Sequence, residues 1–242
     1  MSVQLFPGEI FDLFVDQLGL AIEDSESRTA LLACTAVSRQ FYRQATSHIF
    51  SSISISTVHS PTRLNALRDI INANPHIAPC IRSFTVEVQT YSESLHTVLR
   101  QLSRLEKFGW ICEHFNQFNW NKPEMPSSMI ENLINLPSLT VFHFENVIYL
   151  PLSLFSGFPH LESLTLINVG FAGIGPDTLS GSLFSSLKTL RISGALWSDE
   201  DVEAVKLIMI CAAPTLTTLI LSRTMFMYCK FLVISSSVPN IQ

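Results

Sequence analysis

Residues Phe158–Leu166 read "FPHLESLTL": a proline in a turn, then Leu161, Leu164 and Leu166 at the spacing apolar-x-x-apolar-x-apolar. The last four residues alternate polar and apolar, the period of a strand with one buried face. The same six-residue spacing recurs in "IRSFTV" from Ile81, "LTVFHF" from Leu139, "LKTLRI" from Leu187 and "LTTLIL" from Leu216, with a weaker copy, "LEKFGW", from Leu105. Four copies follow a proline, at Pro79, Pro137, Pro159 and Pro214, which ends the preceding element and sets up an extended chain. Between the copies, "PTRLNALRDIINAN" (Pro61–Asn74) and "SDEDVEAVKLIMICAA" (Ser198–Ala213) carry helical period, the second opening on Ser198 as N-cap with acids behind it. Short strands joined by long return segments predict a parallel sheet, because parallel neighbours need a crossover.

Composition limits what such a chain does. Of 242 residues, 47% are hydrophobic and 14% charged, enough apolar material for a substantial core. Fifteen Lys+Arg against 20 Asp+Glu, with no basic cluster, argue against nucleic acid as a partner. Five widely spaced cysteines (Cys34, Cys80, Cys112, Cys211, Cys229) read as free thiols in a reducing compartment, cytoplasmic and/or nuclear. Asp12 and Asp16, with no basic residue ahead of the first apolar run, are unlike a signal peptide. The greasy stretch Leu216–Val238 is interrupted by Arg223 and Lys230, so no membrane span is expected. No GxGxxG, GxSxG, HExxH or paired-cysteine site occurs, and Gly170–Ser182 reads as a loop; neither an enzyme nor a cofactor is expected, and no metal ligands are assigned.

The N-terminal stretch "LFPGEIFDLFVDQL" (Leu5–Leu18) opens with Pro7 and Glu9, both favoured in a first helical turn, and repeats apolar residues at Ile10, Leu13, Phe14 and Leu18. After the polar segment Glu23–Thr29, "ALLACTAVSRQFYRQATSHIF" places Leu32, Val37, Phe41 and Ala45 on one stripe and Arg39 and Arg43 on another. The two segments predict a helical hairpin or a three-helix unit. From periodicity alone it is either a cap on the following core or a docking module.

Phe6-Pro7-Gly8-Glu9-Ile10 running to Phe14, Val15 and Leu18, with Val37-Ser38-Arg39-x-Phe41 behind it, resembles the F-box of fungal proteins. Phe6 stands where Leu is usual, Phe41 where Trp is frequent, and the Gly19–Ala30 connection is long for the family. The resemblance implies docking onto the adaptor subunit of an SCF-type cullin–RING ubiquitin ligase. It assigns that contact to Phe6, Pro7, Glu9 and Ile10, with Leu13, Phe14, Leu18, Leu32, Val37 and Phe41 shared between the interface and the module's own core.

The repeated six-residue segments are similar to leucine-rich repeats, with irregular intervals. Asn146 and Asn168 lie two rather than three residues beyond the third apolar position, so a continuous asparagine ladder is not expected. If the strands stack in register, alternation puts Thr85, His143, Thr165, Arg191 and Ile220 in one row of a concave face, and Glu87, Glu145, Ile167, Ser193 and Ser222 in the next. This mixture suits a target protein or peptide; the same positions are equally described as solvated strand residues. Trp110 and Trp120, within "WICEHFNQFNWNKPEMP" (Trp110–Pro126), read as core filling between irregular repeats, with an aromatic patch for a partner as the alternative. The expected architecture is α/β: an N-terminal helical F-box module (residues 1–52), a short, irregular leucine-rich-repeat solenoid of strand–helix units (53–222), and a C-terminal tail or incomplete cap (223–242). An ordinary mixed α/β domain is the alternative.

Overall fold

The structure, a computed structural model, describes residues 8–56, 61–88, 92–113, 118–120, 133–134, 136–172, 184–194 and 198–222. Apolar burial falls into two clusters, a small one among the first three helices and a large one under a parallel sheet. The chain is thus mixed α/β, with a helical N-terminal region.

Helices α1 (Gly8–Leu20), α2 (Ser25–Cys34) and α3 (Arg39–Ile49) pack pairwise around Val15, Leu31, Cys34 and Ala45, with Leu18, Ile22, Phe41 and Ile49 partly buried against them. The predicted polar connection Glu23–Thr29 is largely the start of α2. Asp24, in extended backbone, caps it by accepting the Ser27 N–H at 2.9 Å. The predicted single stripe from Leu32 to Ala45 is broken, because α2 stops at Cys34 and Ser38 caps a new helix through its Oγ, which accepts the Phe41 N–H. Leu32 and Val37 therefore point away from the core that Ala45 enters.

Seven strands form one sheet, ordered along it as along the chain: β1 (Ser52–Ser56), β2 (Ser83–Val88), β3 (Lys107–Cys112), β5 (Val141–Glu145), β7 (Ser163–Ile167), β8 (Thr189–Ser193) and β9 (Thr218–Leu221). Every pairing is parallel. Two rows face the core in register: Ile53, Phe84, Phe108, Phe142, Leu164, Leu190, Leu219, and Ile55, Val86, Trp110, Phe144, Leu166, Ile192, Leu221. Only the edge-strand members Ile53 and Leu221 are less than fully buried. Strands β4 (Phe118–Asn119) and β6 (Val147–Ile148) make a second, two-stranded parallel ladder, continued by the bridge between Leu150 and Phe171.

On the inner face the sheet packs against α4 (Pro61–Ala73), α5 (Glu93–Gln101), the 3-10 helices Pro75–Cys80 and Leu152–Gly157, and α6 (Asp199–Ala212). Ser198 forms a full capping box with Asp201 at the start of α6. Asp201 is 2% exposed and is satisfied there, since its other oxygen accepts the Phe171 N–H at 2.6 Å. The middle of the sheet is aromatic. Phe142 meets Phe108 edge-on at 5.5 Å and Phe158 at 4.7 Å, and stacks on Phe144 at 5.0 Å. Each such pair contributes about 0.5–1.5 kcal/mol beyond its area. Trp110 is fully buried and Trp120 packs partly buried at 6.1 Å from it, as core filling.

One hydrogen-bond device repeats at each strand entry. A single carbonyl accepts two consecutive N–H groups of the next strand's approach: Ser51 from Arg82 and Ser83, Arg82 from Glu106 and Lys107, Glu106 from Thr140 and Val141, Thr140 from Glu162 and Ser163, Glu162 from Lys188 and Thr189, Lys188 from Thr217 and Thr218. Ile81, Leu105, Leu139, Leu161, Leu187 and Leu216, the first apolar positions of the sequence pattern, sit just ahead of these sites and are buried. The series begins at Ser51. Phe50, Ile53 and Ile55 therefore supply a further copy of the pattern, which the boundary placed at residue 52 had divided.

The asparagines make a pair and not a continuous ladder. Asn146, 4% exposed, donates Nδ2–H to the Cys112 carbonyl at 2.7 Å and accepts at Oδ1 from Asn168 Nδ2 at 3.0 Å. Both take positive φ, 57° and 51°, a region Asn tolerates. Gly194 (φ 93°) holds the next place, where a Cβ would lie 1.8 Å from Asn168 Oδ1. A short ladder thus closes the strand ends, because the zero-offset register, not the count along the chain, aligns these residues.

Among the described residues no helix is long and apolar enough to cross a membrane. Leu216–Leu221 enters β9, while residues 223–242, Cys229 among them, lie outside the described residues, as do 173–183 of the predicted loop and 121–126 of the tryptophan-rich segment. Cys34, Cys80 and Cys211 are free thiols, and burial pushes those of Cys80 and Cys211 up.

Candidate functional site

Two surfaces carry the residues singled out by sequence. The first lies on the helical region, where α1 has three sides. Phe11, Val15 and Leu18 turn inward, Phe11 meeting Phe41 edge-on at 5.1 Å. Asp12, Asp16 and Gly19 form a seam with α3. Asp12 Oδ1 accepts from Gln40, Asp16 Oδ1 accepts from Gln44 at 2.9 Å and lies 2.8 Å from His48 Nε2, and Gly19 leaves the space the His48 ring occupies. The bonds from Gln44 and His48 hold the Asp16 carboxyl below its usual range.

The third side of α1 is apolar and open: Ile10 is 49%, Leu13 62% and Phe14 53% exposed. Residues three and four apart share one helix face, so these three are neighbours. Leu32 (53%) and Val37 (66%) are exposed as well. The residues expected to serve both core and interface therefore divide: Leu18 and Phe41 pack on the core, whereas Leu13, Phe14, Leu32 and Val37 are left to solvent. Glu9 is exposed; Phe6 and Pro7 lie outside the described residues.

The second surface is the outer face of the sheet. Register aligns Ser54, Thr85, Gly109, His143, Thr165, Arg191 and Ile220 in one row, and Ser56, Glu87, Ile111, Glu145, Ile167 and Ser193 in the next. The register aligns the residues that alternation assigns to each row as far as Ile220 and Ser193, and adds Ser54, Ser56, Gly109 and Ile111, the last two hidden by the weak copy from Leu105. Gly109 is small for a reason: a Cβ there would lie 2.9 Å from Thr85 Oγ1. Ser222 lies just past β9, and its hydroxyl accepts the Gly194 N–H at 3.3 Å, which ties it to the ladder end.

The centre of this face is His143, whose Nε2 is buried and stands 3.6 Å from Glu145 Oε2, beyond hydrogen-bond range. Burial pushes its imidazole below the usual value, against the pull of Glu145, and Arg191 adds to the depression. The face carries acids, one guanidinium, hydroxyls and isoleucines, a mixed surface of the kind found in protein contacts. Among the described residues no three His, Cys, Asp or Glu side chains gather as a cation site. No protein-family model matches the chain, and no curated protein matches it either.

Proposed function

We propose that this chain is a substrate receptor of F-box type for an SCF-type cullin–RING ubiquitin ligase, with its helical region docking the adaptor and its sheet holding a target protein. The observation that carries the proposal is the outward apolar side of α1, together with Leu32 and Val37, around a core already closed by Val15, Leu31, Cys34 and Ala45. Aliphatic and aromatic anchors on an open helix face are the means by which helix-in-groove contacts gain affinity. The repeated strand entries and chain-ordered parallel sheet support reading the rest as a short, irregular leucine-rich-repeat solenoid, whose open face would meet the target. The protein itself would perform no chemistry; it would bring the target to a ligase that does.

A ligase-independent interaction scaffold is the second reading, in which the helices only cap the array. It draws on Tyr42 of α3 against His76 beside the sheet, with ring centroids 6.1 Å apart. Co-purification with the adaptor separates the two. The wild-type chain is expected to retain it, and Ile10→Asp with Leu13→Asp to lose it while circular dichroism stays unchanged. Undiminished retention by the folded double variant refutes the docking surface.

A further inference from the structure

Helix α3 carries Arg39 and Arg43, two of the three arginines between Gly8 and Ser56, a stretch without lysine. Both are exposed, and they line an open groove of about 460 Å³ with Asp12, Gln40 and Gln44. The carboxylates near them are engaged by other groups: Asp12 by Gln40, and Asp16 by Gln44 and His48. Among the described residues neither guanidinium has an ion-pair partner, although Asp12 borders the same groove. Four residues apart, the two lie on one face of α3, at a separation of about 5–6 Å between Cβ atoms. Arg39 is also the first residue of its helix, where the exposed N–H groups add positive potential and a cation is the less favoured charge.

A surface arranged in this way recognises carboxylates. Guanidinium forks bind them in planar, two-bond geometry, and charges at the rim of an apolar contact set encounter rate and register more than they set affinity. The groove lies beside exposed Val37, which stands two residues before Arg39 at the start of α3 and belongs to the docking face proposed above.

We infer that Arg39 and Arg43 form a carboxylate-reading rim on the docking face, and that the partner covering Ile10, Leu13 and Phe14 presents an acidic segment to the α3 groove. This inference rests on the docking reading above and gives that partner's surface its charge.

The test uses the full chain and purified adaptor, with affinity measured from low salt to about 0.5 M, where screening confines interactions to a few ångströms. Arg39→Glu with Arg43→Glu is expected to weaken binding about twofold to thirtyfold at low salt, as the loss of two exposed pairs would, and to flatten its salt dependence. Arg39→Lys with Arg43→Lys, which keeps the charge but not the two-bond fork, is expected to recover only part of the lost affinity. Because Arg39→Glu puts an acid at a helix start, where it is favoured, the loss does not trace to unfolding. A wild-type chain that binds, loses binding with Ile10→Asp and Leu13→Asp, yet is indifferent to the two arginine reversals, overturns this inference alone. A wild-type chain that does not bind overturns the docking reading and this inference together.

Discussion

Asn146 makes the sharpest test of the strand-end ladder. Replacing it with Ala removes the 2.7 Å bond to the Cys112 carbonyl and the 3.0 Å bond from Asn168 in a site 4% exposed. Groups deprived of such bonds inside a protein cost about 1–3 kcal/mol. Alanine must also hold φ near 57°, which adds about 1 kcal/mol that Asn largely avoids. The expected loss is therefore about 2–4 kcal/mol for Asn146→Ala, and about 1 kcal/mol less for Asn146→Gly, which accepts positive φ freely. Urea unfolding followed by tryptophan fluorescence reads this directly, because Trp110 and Trp120 pack under the same sheet. If Asn146→Ala lies within about 0.5 kcal/mol of wild type, the range of an ordinary surface change, the ladder contributes nothing and the reasoning fails.

Phe142→Ala, in the aromatic centre, is expected to lose about 3–5 kcal/mol in the same assay, against less than half of that for Phe142→Leu. Gly194→Ala drives a Cβ into Asn168 and forces positive φ on alanine; a clear fall in melting temperature is expected, whereas an unchanged melt would mean that the ladder gives way freely. The His143 imidazole is held below its usual value, so the unfolded chain takes up a proton first as pH falls below about 6.5; stability declines from there towards the folded value, and His143→Gln removes that slope.

Strand positions were legible because buried and open residues alternate within each copy and a fixed apolar residue precedes it. The first strand was missed for a physical reason: "FSSISIS" obeys the same spacing, but it follows directly on α3, and serine gives little strand signal. The two outer rows could be written down from alternation alone, since a zero-offset register preserves chain order across the sheet. The ladder could not, because which residues align at strand ends depends on cross-strand pairing and on positive φ. On α1 the apolar residues were visible but their division was not. Ile10, Leu13 and Phe14 differ from Phe11, Val15 and Leu18 only by the angle at which α2 and α3 arrive, and the Ser38 cap that sets α3 also turns Val37 outward.

Because one carbonyl at each strand entry ties a strand only to its successor, damage should stay local and fraying should proceed inward from the edges of the sheet. Amide hydrogen exchange would then grade along the array, slowest around Phe108 to Phe144 and fastest at Ile53 and Leu221. The same nearest-neighbour bonding lets a chain-ordered parallel sheet gain or lose a strand at its edge without altering the pairing of the others.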